Sequence, residues 1–275
     1  PNTASSLNIL AHLYKQQGLY SKAEPLYQRA LSIREKVLGP EDSSTATALF
    51  TLSNLYQEQG LYSKAEPLIL RGLSINEKVL GPEHPYTATT LINLSSLYLA
   101  QDLYSKAEPL ILRALSIYEK VLGPEHPYTA TTLNNLAVYY NNQGLYKKAE
   151  PLYLRAFSID EKTLGPEHPY TATGLNNLAL NYYNQGLYNK AEPLFLRALS
   201  INEKVLGPQH PNTTFGLIYL ALNYSSQGLY EKAIPLMFQA QERSISLIQR
   251  ESPYLPLTDR ESFVANFKGN YLRSF

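Results

Sequence analysis

The stretch EKVLGPEHPYTATTL occurs twice without a change, at residues 77–91 and at residues 119–133. Close copies begin at Glu35, Glu161 and Glu203, and every copy starts 42 residues after the one before it. A Leu-Tyr pair recurs with the same step, and its leucines are Leu19, Leu61, Leu103, Leu145, Leu187 and Leu229. A fixed period over six copies predicts an array of repeated structural units, each built like its neighbours.

One 42-residue unit predicts two helices. In the fourth unit, residues 133–140 place apolar side chains at spacings of three and four, which is one face of an α-helix. Gly144 then suits the left-handed position that ends a helix. A second apolar pattern covers residues 149–164, and Pro169 fits the first turn of the next helix. The quoted stretch is therefore the end of one helix, a joint and the start of the next.

A proline recurs inside the second pattern of every unit, beginning with Pro25. In the first three units a Ser-x-x-Glu sequence precedes it, as in Ser21 to Glu24, and resembles a capping box at a helix start. If the serine is the cap, the proline lies in the first turn of the helix. If the helix starts nearer Leu19, the proline lies inside the helix and bends it. The sequence leaves both arrangements open.

Composition excludes several classes of function. Charged residues make up 17% of the chain and the net charge is +1, so we expect no nucleic-acid or membrane partner. The chain has no cysteine and no apolar run of about 18 residues. The sequence begins with Pro1 in the middle of a unit and shows no signal peptide. We therefore expect a cytoplasmic protein, and this chain to be part of a longer one.

No pattern of catalytic residues is present. His84, His126 and His168 recur once per unit, which separates them by on the order of 10 Å, as neighbouring helix pairs pack. A metal ion needs its ligands within about 2 to 2.5 Å. No other unit has a histidine at the position of His12, and we predict that His12 is a surface or groove residue. Glycine-rich phosphate loops and hydrolase motifs are absent as well. We predict no enzyme activity, no metal and no cofactor.

The pattern L-x2-L-[AS]-x2-Y, followed by alanine and then a large residue, resembles the tetratricopeptide repeat. Leucine replaces the tryptophan that usually opens that repeat, and the unit has 42 residues rather than about 34. In length and in its AEPL, RAL and EKVLG elements the unit resembles the repeats of kinesin light chains and of bacterial signalling proteins. The resemblance implies an all-α, right-handed superhelical solenoid of helix-turn-helix repeats.

The repeat pattern predicts six units at about residues 1–40, 41–82, 83–124, 125–166, 167–208 and 209–250. The pattern changes from Met237 onward, and residues 251–275 predict a capping or linker helix. This C-terminal sequence resembles the segment that joins such repeats to a CHAT domain, which has a caspase-like peptidase fold. A further domain in the same chain is therefore one expectation.

In this family the first helix of each unit lines a concave groove. The resemblance maps the groove onto Asn54, Asn93, Thr131, Asn134, Asn135, Val138, Asn141, Thr173, Asn176, Asn177, Leu180 and Tyr183. Asparagine is a poor helix former, so its frequency here needs a reason. Its carboxamide can both donate to and accept from a peptide backbone. Alternatively, the asparagines bond to one another or to water.

We predict a protein–protein interaction module that binds an extended peptide or a partner segment in this groove, as the recognition arm of a larger protein. The groove has almost no Lys or Arg, which disfavours acidic ligands. Two alternatives remain. The array regulates a caspase-like peptidase in its own chain, or it is a spacer or oligomerisation scaffold without a specific ligand.

Overall fold

The computed structural model describes the backbone of residues 2–251 and the side chains of residues 2–246, and within that range all regular structure is helical. Twelve helices alternate as first and second members of six pairs. The first helices are α1 (Asn2–Gln16), α3 (Ser43–Glu58), α5 (Pro85–Leu99), α7 (Pro127–Asn142), α9 (Pro169–Asn184) and α11 (Pro211–Ser226). The second helices are α2 (Tyr20–Leu38), α4 (Tyr62–Val79), α6 (Tyr104–Val121), α8 (Tyr146–Thr163), α10 (Tyr188–Val205) and α12 (Tyr230–Glu251).

The described chain forms two compact halves, one up to Leu122 and one from Gly123 onward. In each half, a first helix packs against the second helix of its own pair. That second helix packs in turn against the first helix of the next pair, as α2 does on α3 and α8 on α9. The predicted all-α repeat class is confirmed. Residues 252–275, which include most of the predicted terminal helix, lie outside the described residues.

Histidines start four of the first helices. His126 lies at the N-cap of α7 in extended conformation, and its Nδ1 accepts a hydrogen bond from the Tyr128 backbone N–H at 3.1 Å. Pro127 follows as the first helical residue, where its missing N–H costs nothing. His84, His168 and His210 make the same cap, and Asp42 caps α3 with a carboxylate. The recurring histidine is therefore a structural cap in the joint between units.

Replacing the cap should weaken the array locally. We expect His126→Ala to lower the free energy of unfolding by about 1 kcal/mol, because one N–H of α7 loses its acceptor. His126→Asp should keep most of the stability, since Asp42 performs the same role at the equivalent position. Urea unfolding of the three proteins checks this. Equal stabilities of the alanine and aspartate variants would contradict the capping role.

The second helices do not begin with the capping box that the Ser-x-x-Glu sequence suggests. Gly18 ends the first helix with φ of +73°, and α2 starts directly at Tyr20 without a side-chain cap. Ser21 is therefore already helical, so of the two arrangements left open by the sequence the structure has the one in which the helix begins next to Leu19 and Ser21 is not a cap. Pro25 lies inside α2 as the sixth helical residue, so one backbone hydrogen bond of the helix is lost. The other second helices of the array repeat this arrangement.

Small and large side chains alternate in the core. In the C-terminal half, Ala137 of α7 and Ala149 of α8 are fully buried beside Tyr153. Leu178 from α9 packs into the same cluster and so joins one helix pair to the next. Small residues let the helices approach closely, and the large ones fill the space around them, which gives the dense packing of protein interiors.

A tyrosine–glutamate hydrogen bond joins successive pairs. The Tyr56 hydroxyl of α3 donates to Glu24 Oε1 of α2 at 2.8 Å. Tyr98 donates in the same way to Glu66 at 2.8 Å. Two junctions of the C-terminal half repeat the bond, between Tyr182 and Glu150 and between Tyr224 and Glu192. A lysine ammonium lies over each of these tyrosine rings, at 5.0 to 5.2 Å from the centroid. The glutamate assigned to a capping box thus serves the junction instead.

This bond should make the array sensitive to alkali. Burial, followed by the hydrogen bond to Glu66 and the charge of that carboxylate, raises the pKa of Tyr98 to about 12. The unfolded value is about 10, so the folded state keeps the proton to higher pH. The resulting stabilisation is complete below pH 10 and is lost as the pH rises through about 12.

We therefore expect the free energy of unfolding to fall between pH 9.5 and pH 11.5, and to fall less in Tyr98→Phe than in the wild type, as measured by urea unfolding. Tyr86→Phe is the matched control, because the Tyr86 side chain is 66% exposed. An equal alkaline loss in the wild type and in Tyr98→Phe would show that the junction bond does not set this dependence.

Candidate functional site

Charge separates the two sets of helices. The first helices α5, α7, α9 and α11 contain no Asp, Glu, Lys or Arg, and α3 contains only Glu58 in its last turn. The second helices carry most of the charge of the described chain. A ligand that lies along α7, α9 and α11 therefore meets carboxamides, hydroxyls and apolar groups but no charged residue of these helices, whereas α1 carries Lys15.

The charges of the second helices are largely paired with one another. Arg71 of α4 contacts Glu35 of α2 at 2.6 Å, and Lys78 contacts Glu41 in the preceding joint at 2.5 Å. The same two spacings, 36 and 37 residues, recur along both halves in the pairs Arg113–Glu77, Lys120–Glu83, Lys162–Glu125, Arg197–Glu161 and Lys204–Glu167. Arg243 contacts Glu203, which is 40 residues away. Exposed pairs of this kind contribute about 0 to 1 kcal/mol each. They leave little free charge to attract a polyanion.

The predicted groove residues are accessible. Asn54, Thr131 and Thr173 are exposed. The others are partly buried, and none is fully buried: Asn93, Asn134, Asn135, Val138, Asn141, Asn176, Asn177, Leu180 and Tyr183. The hydroxyls of Thr131 and Thr173 donate to carbonyls of their own helices at 3.1 Å. Their oxygens can still accept a hydrogen bond.

Side chains of neighbouring first helices bond directly in the C-terminal half. Asn177 Nδ2 of α9 donates to Asn134 Oδ1 of α7 at 2.9 Å. Between α9 and α11, the hydroxyls of Tyr183 and Ser226 are 2.9 Å apart. Both contacts join residues that are 43 positions apart in the sequence, whereas equivalent residues of successive units are 42 apart. Each residue therefore bonds to the one that follows its equivalent in the next first helix. The alternative interpretation, in which asparagines bond to one another, holds for Asn134 and Asn177.

These bonds leave hydrogen-bonding capacity on the surface. A carboxamide has two donor hydrogens and an oxygen with two acceptor sites. The bond to Asn177 occupies one acceptor site of Asn134, and within the described residues no hydrogen bond of its two side-chain N–H groups is found. The Oδ1 atom of Asn177 is left as an acceptor. The surface therefore offers both donors and acceptors at neighbouring positions.

The structural role of one residue in this region, Asn181, was not predicted from the sequence. Asn181 is fully buried and donates both to Asn141 Oδ1 and to the Tyr146 carbonyl, each at 3.3 Å. Its own Oδ1 accepts from Gln185 at 2.7 Å. The equivalent positions hold Leu55, Leu97 and Tyr139 in earlier units and Asn223 in the last one, so alignment of the units shows a buried asparagine at this position in the fifth and sixth units only. Asn181 fixes Asn141 and the turn between α7 and α8.

Reactive groups do not converge in the described part of the chain. Residues 2–246 contain no group of three or more His, Asp or Glu side chains that could hold a metal ion. None of the described helices is long and apolar enough to cross a membrane.

Comparison with solved structures agrees with this architecture. A kinesin-light-chain-like protein of Podosopora anserina with nearly identical TPR-like repeats is 27% identical, with a TM-score of 0.65, over 76% of this chain and 98% of its own. BtubC of P. vanneervenii is 22% identical, with a TM-score of 0.68, over 89% of this chain and 94% of its own.

A Rap protein complexed with competence and sporulation factor is 17% identical, with a TM-score of 0.65, over 98% of this chain and 75% of its own. The likenesses to BtubC and to the Rap protein show the fold alone. No curated protein matches the sequence.

The sequence itself matches one family model along almost its whole described length. The model of the tetratricopeptide repeat matches residues 2–78, 59–120, 98–162, 128–200 and 170–244. The overlapping matches follow the same helix pairs that the structure contains. The chain belongs to the tetratricopeptide repeat family.

Proposed function

We propose that the first helices of the C-terminal half bind an extended, largely uncharged peptide segment of a partner protein. The observation that carries this proposal is the Asn134–Asn177 carboxamide pair on a surface without charged residues. A peptide backbone alternates donors and acceptors, and a row of carboxamides can meet both. Tetratricopeptide repeats are protein-interaction modules, and the Rap protein described above holds competence and sporulation factor.

The apolar residues of this surface add contact area beside the carboxamides. Val138 of α7 and Leu180 of α9 are partly buried and lie one helical turn from Asn134 and Asn176. Side chains of the ligand that are small or apolar can pack there, while its backbone bonds to the asparagines. The proposal includes no catalytic step, no cofactor and no nucleic-acid or membrane partner. A partner segment within the same chain would use the same chemistry, and the cytoplasmic location stays a prediction of the sequence.

Selection from a phage-displayed library of random peptides on the immobilised protein tests the proposal. We expect the selected peptides to be poor in charged residues. Asn134→Ala together with Asn177→Ala should weaken their binding about 10-fold, since two hydrogen bonds contribute about 0.5 to 1.5 kcal/mol each. Changing both residues leaves neither without its partner. Ser158→Ala with Ser200→Ala is the matched control, because both serines are exposed on second helices.

Salt provides an independent criterion. Binding to an uncharged surface should change less than about 2-fold between 50 and 500 mM NaCl, because screening acts only on charges. A steep salt dependence, or equal losses in the asparagine and serine variants, would contradict the proposed surface. Failure to select any peptide would favour the scaffold alternative.

A further inference from the structure

Exposed tyrosines lie beside the histidine caps of the joints between units. In the C-terminal half, the ring centroids of Tyr128 and His126 are 5.3 Å apart, and those of Tyr170 and His168 are 5.4 Å apart. The two tyrosine side chains are 57% and 67% exposed. Because the pairs occupy equivalent positions in successive units, they form a row of aromatic rings rather than a single exposed side chain. We call these four residues the tyrosine–histidine row.

The caps determine which nitrogen of each histidine carries the proton. Nδ1 of His126 accepts the Tyr128 backbone N–H at 3.1 Å, and Nδ1 of His168 accepts the Tyr170 backbone N–H at 3.2 Å. A neutral imidazole has one acceptor nitrogen and one donor nitrogen, so the proton is on Nε2. Both histidines are partly exposed, and no hydrogen bond of either Nε2 is found within the described residues. Each pair therefore combines an N–H donor with a tyrosine ring.

The acidic residues that directly precede the two histidines are paired. Glu125 forms an ion pair with Lys162, and Glu167 forms one with Lys204 at 2.5 Å. These pairs leave the row without a net charge of either sign to select a ligand. A ligand that fits the row is therefore apolar, and it carries acceptors for the two imidazole donors.

The spacing of the row matches one kind of extended chain. Helices α7 and α9 are neighbours that contact each other, and neighbouring helices lie about 8 to 10 Å apart. A polyproline II helix has three residues per turn and a rise of about 3.1 Å, so every third residue returns to the same side after about 9 Å. Its backbone makes no internal hydrogen bonds, so its carbonyls can accept, and proline adds no N–H donor. Both the spacing and the hydrogen-bonding groups therefore match the row.

We propose that the tyrosine–histidine row of the C-terminal half binds a proline-rich segment of a partner protein, in polyproline II conformation and with a proline at every third position. The prolines pack on the rings of Tyr128 and Tyr170, as in other aromatic sites for such segments. The Nε2–H groups of the histidines donate to carbonyls of the ligand. Asn134 lies about two turns further along α7, so this surface is separate from the carboxamide surface.

The pair of rings is not present in every unit. In the N-terminal half it occurs as His84 and Tyr86, with ring centroids 5.4 Å apart. In α11 the cap is His210, but the exposed residue at the tyrosine position is Asn212. The row of the C-terminal half therefore stops at α9, and position 212 is where a third ring can be added.

Fluorescence anisotropy with dye-labelled, uncharged synthetic peptides and the full chain tests the proposal. The probe is (Pro-Ala-Ala)4, and its control is (Pro-Ala-Ala-Ala)3, which has the same length but places prolines at every fourth residue. We expect the control peptide to bind about 10-fold more weakly, because its prolines do not share one side of the helix. Tyr128→Ala with Tyr170→Ala should weaken binding of the probe about 10-fold. Tyr230→Ala is the matched control variant, since Tyr230 is 60% exposed at the start of α12.

Two further variants test the donor and the length of the row. His126→Asp with His168→Asp keeps an acceptor for each cap, as Asp42 does in α3, but removes both Nε2–H donors. It should weaken binding of the probe about 5-fold while the thermal midpoint changes little. Asn212→Tyr should strengthen binding of the probe about 5-fold, because it adds a third ring to the row.

Absence of binding at millimolar protein, or equal binding by the wild type and the double tyrosine variant, would overturn the proposal. Equal affinities for the two peptides would overturn the spacing argument. Asn134→Ala with Asn177→Ala should leave binding of the probe unchanged. If that variant lost binding while the tyrosine variant kept it, the peptide would belong to the carboxamide surface and the tyrosine–histidine row would not be its site.

Discussion

Leu97→Ala should lower the free energy of unfolding by about 2 to 5 kcal/mol, because it leaves a cavity in a closely packed junction. Leu97 is fully buried in α5. Each helix pair of a repeat array contacts only its neighbours, so we expect the damage to concentrate on the pairs beside α5. Urea unfolding measures the total loss, and hydrogen exchange shows which helices open.

Leu13→Ala is the matched control for this prediction. Leu13 occupies the same position in α1, but its side chain is 49% exposed. The alanine should therefore cost less than about 1 kcal/mol, since little apolar area returns to water. Equal losses in the two variants would mean that stacking between pairs does not bury this position as the structure describes.

Gly72→Ala should destabilise the protein by about 1 to 3 kcal/mol through overpacking. A Cβ atom at Gly72 would lie 2.5 Å from Cε1 and 2.6 Å from Cζ of the Phe50 ring. The ring packs on a cluster with Ala46, Leu49 and Ile75, so it must turn away from its packed position to make room for the methyl group. The steric overlap of the added methyl group therefore destabilises the protein by more than the higher helix propensity of alanine stabilises it.

The next helix pair shows how the strain is relieved. There Ile92 and Ala114 occupy the positions of Phe50 and Gly72. Phe50→Ile with Gly72→Ala should therefore regain most of the lost stability, and a double-mutant cycle should give a favourable coupling energy. Gly174→Ala is the control, because its nearest neighbour, Phe157, would be 3.8 Å away. If Gly72→Ala is as stable as Gly174→Ala, the proposed steric pairing is wrong.

The fold was predictable because each unit repeats the same local signals. The 42-residue step, the apolar spacing and the glycine before five of the six Leu-Tyr pairs are enough to place the helices, and Asp102 takes the place of that glycine before Leu103. Pro169 begins α9 as expected, and Gly144 has φ of +72°. These signals are local, so sequence alone contains them.

The errors concern residues whose partners are distant in sequence. Glu24 looked like part of a capping box, but its partner is Tyr56, 32 residues away. The histidine cap was missed because histidine is not among the usual N-cap residues, although Asp42 at the same position gave the signal. Asn134 and Asn177 bond across a one-residue offset between helices, which a strict 42-residue alignment does not show.

The central claim is that the carboxamides of the first helices contact the ligand. The most direct test is the side-chain NH2 spectrum of the 15N-labelled protein, titrated with a peptide selected from the random library. The account predicts shifts for Asn134 and Asn177, with no shift for Asn189, which is exposed on second helix α10. Shifts confined to Asn189 and other second-helix groups, with Asn134 and Asn177 unchanged, would contradict it.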